Sequence, residues 1–213
     1  MPDKPPADSA PGRGGARVAL LDAALSAIRA QGLHATTVDE LCDAAGVTKG
    51  AFFHHFASKE DLAVAAADYW SETTGALFAA APYHEPEDPL ERVFGYLDFR
   101  ASLITGEPAE FTCLVGTMTQ EVFDTSPAVR DACAASIFGH AATLEADLAA
   151  ALAASGTGVE VSAASLARHT QTVLQGAFVL SKAANDPALV LEAIDHLRRY
   201  LECVLGHPTP NGA

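Results

Sequence analysis

A chain of 213 residues that is 49% hydrophobic and 19% charged has enough apolar mass to bury a core, which excludes a disordered polymer. No uninterrupted apolar run approaches the roughly 20 residues needed to cross a bilayer, and the opening MPDKPPADSAPGRGG lacks the apolar segment of a secretory signal, so the expectation is a cytoplasmic protein with no membrane partner. The net charge of -14 weighs against nucleic acid, but residues 1–70 carry only -3 of it, which leaves room for a basic face near the amino terminus. Alanine and leucine dominate and aromatics are 7%, a mixture that favours closely packed helices. The four cysteines, Cys42, Cys113, Cys133 and Cys203, form no CxxC pair, so neither a zinc ribbon nor a redox motif is supported and small buried apolar roles are expected.

Residues 1–14, with four prolines and two glycines, read as a flexible arm. From Ala16 a helical pattern places Val18, Leu21, Leu25 and Ile28 on one face, and Gly32 ends it. Thr37-Val38-Asp39-Glu40 matches a capping box opening a second helix that stops at Gly46. Thr48 caps a third through KGAFFHHF, and Ser58 with Asp61 caps a fourth that continues to about Ala81. Asp88-Pro89 opens a helix to about Thr105, and a sixth runs from about Glu110 to Phe123. Ser126-Pro127 opens a seventh to about Ser155. The eighth spans about Ser162 to Ala184, and Asp186-Pro187 starts a ninth that ends before Gly206. No segment alternates with period two. The chain reads as all-α, with about nine helices and no internal repeat.

Three short helices, the second and third joined at Ala45-Gly46-Val47, have the helix-turn-helix layout, in which a glycine at the bend adopts positive φ without steric cost. Val38, Leu41, Val47, Phe52 and Phe56 supply the apolar wedge. An αα-hairpin with no nucleic-acid role has the same spacing, so spacing alone leaves both readings open.

The stretch TTVDELCDAAGVTKGAFFHHFASKEDL resembles the DNA-binding signature of the TetR family of bacterial transcriptional regulators: a T-T pair, an Ala-Gly-Val turn, Thr-Lys-Gly at the recognition helix, aromatics before His-Phe, and Ser-Lys-Glu-x-Leu. The match is dense over residues 16–65. Beyond it, FTCLVGTMTQEVFDTSPAVRDAC and QGAFVLSKAAND are similar to segments in the variable domains of some members. The resemblance implies an amino-terminal reading head, here residues 15–62, and a bundle over 63–213 that holds a small effector and the contact of a homodimer. It implies a ligand-responsive regulator, in the repressor mode, released from a palindromic operator. On this reading Thr36, Thr37, Thr48, Lys49, Gly50, Phe53, His54, His55 and Lys59 face double-stranded DNA. Helix starts at Thr37, Thr48 and Ser58 attract phosphate, and Lys49 reaches a base edge or phosphate. The family pattern is tyrosine-rich where this chain has Phe53-His54, so Phe53 offers only packing while His54 keeps one hydrogen-bond donor. Adjacent helical histidines project about 100° apart and cannot make the i,i+4 zinc pair; they are DNA-surface or helix-capping residues. No metal and no cofactor is expected.

Residues 82–213 carry no phosphate-binding loop, nucleophile elbow or metal pattern, so an enzyme is not indicated. Trp70, Phe78, Phe99, Phe111, Met118, Phe138 and Phe178 are candidates for a pocket wall, as well as for ordinary core. Thr117, His140, His169 and Gln175 are candidate orienting groups in the same pocket. Cys113, near a helix start, fits either an electrophile sensor or an inert thiol in that pocket. The last two helices, with Gly176 at a point of close approach, are the expected dimer contact. The competing reading, favoured by the acidic balance, is a helical protein-interaction module that has lost DNA binding.

Overall fold

Side-chain caps explain where most elements begin. The computed structural model describes residues 13–206, which form eleven α-helices and one 3-10 turn with no strand among the described residues. The arm expected over residues 1–14 lies outside the described residues, except that Arg13 and Gly14 already belong to the first helix, α1 (Arg13–Gln31). In α2 (Val38–Ala45) the capping box is complete: the Thr37 hydroxyl accepts the Glu40 N–H at 3.2 Å and the Glu40 carboxylate accepts the Thr37 N–H at 2.8 Å. Gly46, at φ 64°, ends α2 and turns the chain into α3 (Lys49–His55). Thr48 caps α3 by accepting the Ala51 N–H at 3.2 Å, and Ser58 caps α4 (Lys59–Ala79) by accepting the Asp61 N–H at 3.0 Å.

The nine expected helices become eleven because two of them are broken. The sixth divides at Thr112, whose backbone is extended, into α6 (Pro108–Phe111) and α7 (Leu114–Val122). The seventh divides into α8 (Pro127–Ala142) and α9 (Glu145–Ser155), where Thr143 and Leu144 donate to carbonyls three residues back, a 3-10 joint. By length and composition the stretch Pro127–Ser155 is apolar enough to cross a bilayer, although Arg130, Asp131, Glu145 and Asp147 interrupt its apolar residues. It runs along the bundle wall, with Val129, Cys133, Ala141 and Leu148 buried against its neighbours. The remaining helices are α5 (Pro89–Ser102), α10 (Ala163–Ala184) and α11 (Ala188–Leu205). The connection from α10 to α11 is short because Asn185 takes the left-handed conformation at φ 52° and donates its N–H to the Ser181 and Lys182 carbonyls.

Two apolar cores run through the molecule. One fills the bundle with residues of α4, α5, α8, α9, α10 and α11. The other joins the three amino-terminal helices and the first half of α4 to α7 and α8: Leu21, Leu41, Phe52 and Leu62 share it with Leu114, Met118, Val122 and Val129. Cys113 packs against both. In α1 the buried face is Leu20, Leu21, Ala24 and Ile28, whereas Val18 is 43% exposed and does not belong to it.

Candidate functional site

The exposed face of α3 follows directly from its caps. With Phe52 and Phe56 turned into the core, Lys49, Gly50, Phe53 and His54 are left outward, Phe53 with 58% of its surface exposed. Lys49 meets Asp39 of α2 at 2.6 Å, an exposed pair that water and a competing anion can open. The His54 and His55 rings stand edge to face, 5.0 Å apart, and His55 is half-buried. Thr37 and Thr48 are exposed caps.

Two residues of the sequence-derived DNA set sit differently. Thr36 is fully buried, its hydroxyl donated to the Gly32 carbonyl at 2.7 Å, so it faces the head interior. The Lys59 ammonium donates to three carbonyls, Leu33 at 2.9 Å, His34 at 3.2 Å and Thr36 at 2.9 Å, and thereby braces the loop between α1 and α2. Arg17, which the sequence reading passed over, is exposed on α1 with its guanidinium 5.6 Å above the Phe56 ring.

A cavity of about 400 Å³ opens among α4, α5, α7, α8 and α10. Of the twelve residues that sequence reasoning offered for a pocket, Trp70, Phe78, Phe111, Cys113, His140, Gln175 and Phe178 line it. The other five lie elsewhere. Phe99 stacks edge-on behind Phe78 at 5.2 Å. Met118 is fully buried in the head-side core. Thr117 bonds Lys182 at 3.0 Å. Phe138 is 58% exposed, and His169 stacks on Tyr200 at the surface, 4.8 Å between rings. Cys42 and Cys133 are buried as expected, while Cys113 is half-buried and Cys203 exposed.

One end of the cavity carries a closed set of polar bonds. Arg100 Nε donates to the Tyr96 hydroxyl at 2.8 Å and its Nη2 donates to His140 Nε2 at 3.0 Å. Gln171 donates to the same hydroxyl at 3.2 Å, and the hydroxyl oxygen lies 3.1 Å from His140 Nε2. An arginine can only donate; His140 Nε2 is therefore an acceptor and the imidazole is neutral. Burial, reinforced by the Arg100 charge, pulls its pKa down to about 3.

Polar struts tie this bundle to the head. Glu121 of α7 accepts the N–H groups of Leu33 at 2.9 Å and His34 at 2.8 Å, just past the end of α1. Lys182 of α10 donates to the Arg29 carbonyl at 2.8 Å. Arg29 in turn donates to the Glu110 carbonyl at 2.6 Å and lies 5.4 Å over the cavity residue Trp70. Burial lowers the pKa of both cations.

With a helix-turn-helix head fused to a cavity-bearing helical bundle, comparison with known proteins is decisive. The family model for bacterial regulatory proteins of the tetR family matches residues 20–66, and that for the tetracyclin repressor-like C-terminal domain matches residues 89–197, just over half of the chain. The chain belongs to the TetR family. Among relatives, the HTH-type transcriptional repressor KstR2 of Rhodococcus jostii is 48% identical over 58 residues, 27% of this chain and 28% of that protein. The HTH-type transcriptional regulator TtgR of Pseudomonas putida is 35% identical over 74 residues, 35% of each. The chain thus spans about a quarter to a third of the length of these curated relatives. A TetR-family regulator from Agrobacterium tumefaciens shares the fold with a TM-score of 0.78 at 18% identity, covering 89% of this chain and 98% of that one. A TetR regulator from Chloroflexus aurantiacus superposes with a TM-score of 0.76 at 26% identity, covering 89% and 96%.

The cavity residues come from helices distant in sequence, and several escaped the sequence reading. Arg100, Gln171, Ser71, Thr74 and Ser136 all line it. For Arg100 a signal existed: it follows Tyr96 by one helical turn in FGYLDFRAS, a cation on an otherwise apolar face.

Proposed function

We propose that the protein is a ligand-responsive transcriptional regulator, acting as a repressor, whose homodimer holds two α3 helices against the half-sites of a palindromic operator and lets go when a small effector fills the bundle cavity. The observation that carries this reading is the continuity of the head core with α7, the helix that begins at the cavity residue Cys113. An effector that fits the cavity better in one arrangement of α7 shifts the population of head positions through that shared core. Lys49, Gly50, Phe53 and His54 form the reading surface, and Arg17 joins Lys49 as a phosphate contact. The dimer forms through α10 and α11, which leave Val179, Leu180, Leu191 and Tyr200 exposed on the single chain. The protein acts in the cytoplasm, where its operator is.

The test is selection of duplex fragments by the purified protein, followed by affinity measurements across a salt series. Phosphate neutralisation gives a log–log slope of about -0.9 per contact, and Lys49→Ala, which removes one contact from each half of the dimer, is expected to flatten it by about two contacts. Failure to retain any duplex in dilute buffer refutes the proposal. It would favour the second reading, a protein-interaction module, to which the net charge of -14 lends support.

A further inference from the structure

Among the described residues, Arg100 is a cation without an anion. Its guanidinium leaves the last turn of α5 and lies 4.5 Å over the Phe78 ring and 5.4 Å from that of Tyr96, in the cavity wall. Of its five N–H donors, one is held by the Tyr96 hydroxyl and one by His140 Nε2. Both partners are neutral, and Gln171 completes the valence of the phenol. No carboxylate forms an ion pair with Arg100 among the described residues, unlike Arg92, Arg130 and Arg198, which pair with Asp147, Asp131 and Asp98. Among the described residues the one carboxylate lining the cavity, Asp68, is exposed and stands ten residues before Phe78 on α4, about 15 Å along the helix axis. A half-buried guanidinium with donors to spare, in a wall of Trp70, Phe78, Phe111 and Phe178, is the arrangement that receives an anionic group on an apolar body.

We propose that the effector is a compact monoanionic carboxylic acid with an aromatic or aliphatic body, its carboxylate seated on Arg100 and its body extending along Phe78 towards Trp70. The proposal rests on the cavity being the effector site. A single guanidinium suits one negative charge. The other two cations of this region are engaged away from it, Arg29 with the Leu25 and Glu110 carbonyls and Lys182 with the Arg29 carbonyl and Thr117. A phosphate dianion would meet no second cation beside Arg100. Tyr96 and Gln171 hold the guanidinium in place, and His140, neutral under ordinary conditions, does not compete with it for the anion.

Trp70 is the only tryptophan of the chain and lines the cavity, so its fluorescence reports occupancy without DNA. The probes are 4-phenylbutanoate and octanoate, their primary amides, and the phosphate monoester of 4-phenylbutanol, titrated into the full chain. At least one carboxylate is expected to saturate the signal in the submillimolar range, at least tenfold more tightly than its amide and more tightly than the phosphate ester. Arg100→Gln is expected to remove the preference over the amide, and Arg100→Lys to restore part of it. Equal binding of acid and amide by the native chain, tighter binding of the phosphate ester, or no carboxylate binding up to millimolar concentration overturns the assignment, even if the variants fail to fold. The regulatory reading fails separately: a carboxylate that binds through Arg100 but leaves operator affinity unchanged sinks the effector role and leaves the anion site standing.

Discussion

Replacing Lys59 with methionine separates a brace from a phosphate contact. The native ammonium has three N–H donors, and all three are satisfied by backbone carbonyls between α1 and α2. A hydrogen bond from a charged donor contributes about 1.5–3 kcal/mol. The three share one ammonium, and the partly exposed carbonyls regain water when it is gone, so the loss is about 2–3 kcal/mol rather than the triple sum. For a chain of this size that lowers the thermal midpoint by roughly 4–12 °C. The measurement is urea unfolding of native and Lys59→Met protein at one fixed concentration, since dimerisation adds to apparent stability. It is paired with the salt dependence of operator binding by both proteins. The structure gives the expected result: a lower urea midpoint and a salt slope unchanged from the native protein. An unchanged urea midpoint together with a slope reduced by about 1.8, two contacts per dimer, would show that the ammonium meets DNA, and the brace would be refuted.

His140 makes stability depend on pH with a definite sign. Its folded pKa of about 3 lies below the unfolded value near 6.5, so between these values the unfolded chain binds the extra proton and stability falls as pH falls. At pH 5 the loss relative to pH 8 is about 2 kcal/mol, and urea midpoints of His140→Gln at the two pH values should show a pH dependence smaller by that amount; an identical dependence counts against a buried neutral imidazole. Gly46→Ala places a side chain at φ 64° where no atom lies within 4 Å of the new Cβ, so the cost is backbone alone, about 1–2 kcal/mol in unfolding free energy. A neutral result there would mean that the turn relaxes. Leu180→Glu, at a position 60% exposed on the single chain, should shift the mass in light scattering from dimer towards monomer at micromolar concentration; an unaltered dimer mass places the two-fold contact elsewhere.

Local chemistry was the legible part of this sequence. Thr37, Thr48, Ser58, Asp88 and Ser126 all cap the helices they precede, because a cap involves residues within three positions of one another. The joint at Thr143-Leu144 was not legible: it needs no glycine or proline, only a switch of hydrogen bonding by one residue. Lysines show the same divide. Both Lys49 and Lys59 stand at a helix start, yet only the fold reveals that one side chain points outward and the other crosses to the α1–α2 loop. For the cavity, hydrophobicity identified aromatic residues without saying which wall they join: Phe78 and Phe178 line it, while Phe138, about three turns into an alanine-rich helix, faces outward. Arg100 was missed because an arginine reads by default as solvated surface.

The sharing of one apolar core between α1–α4 and the helices α7 and α8 has a practical meaning for anyone wishing to rewire such a switch. Leu114, Met118, Val122 and Val129 are the roof over Leu21, Leu41 and Leu62. A graft that exchanges the first sixty-odd residues between relatives would therefore set a foreign floor under the old roof. Exchanges that keep both specificity and response should carry those four roof positions along with the head.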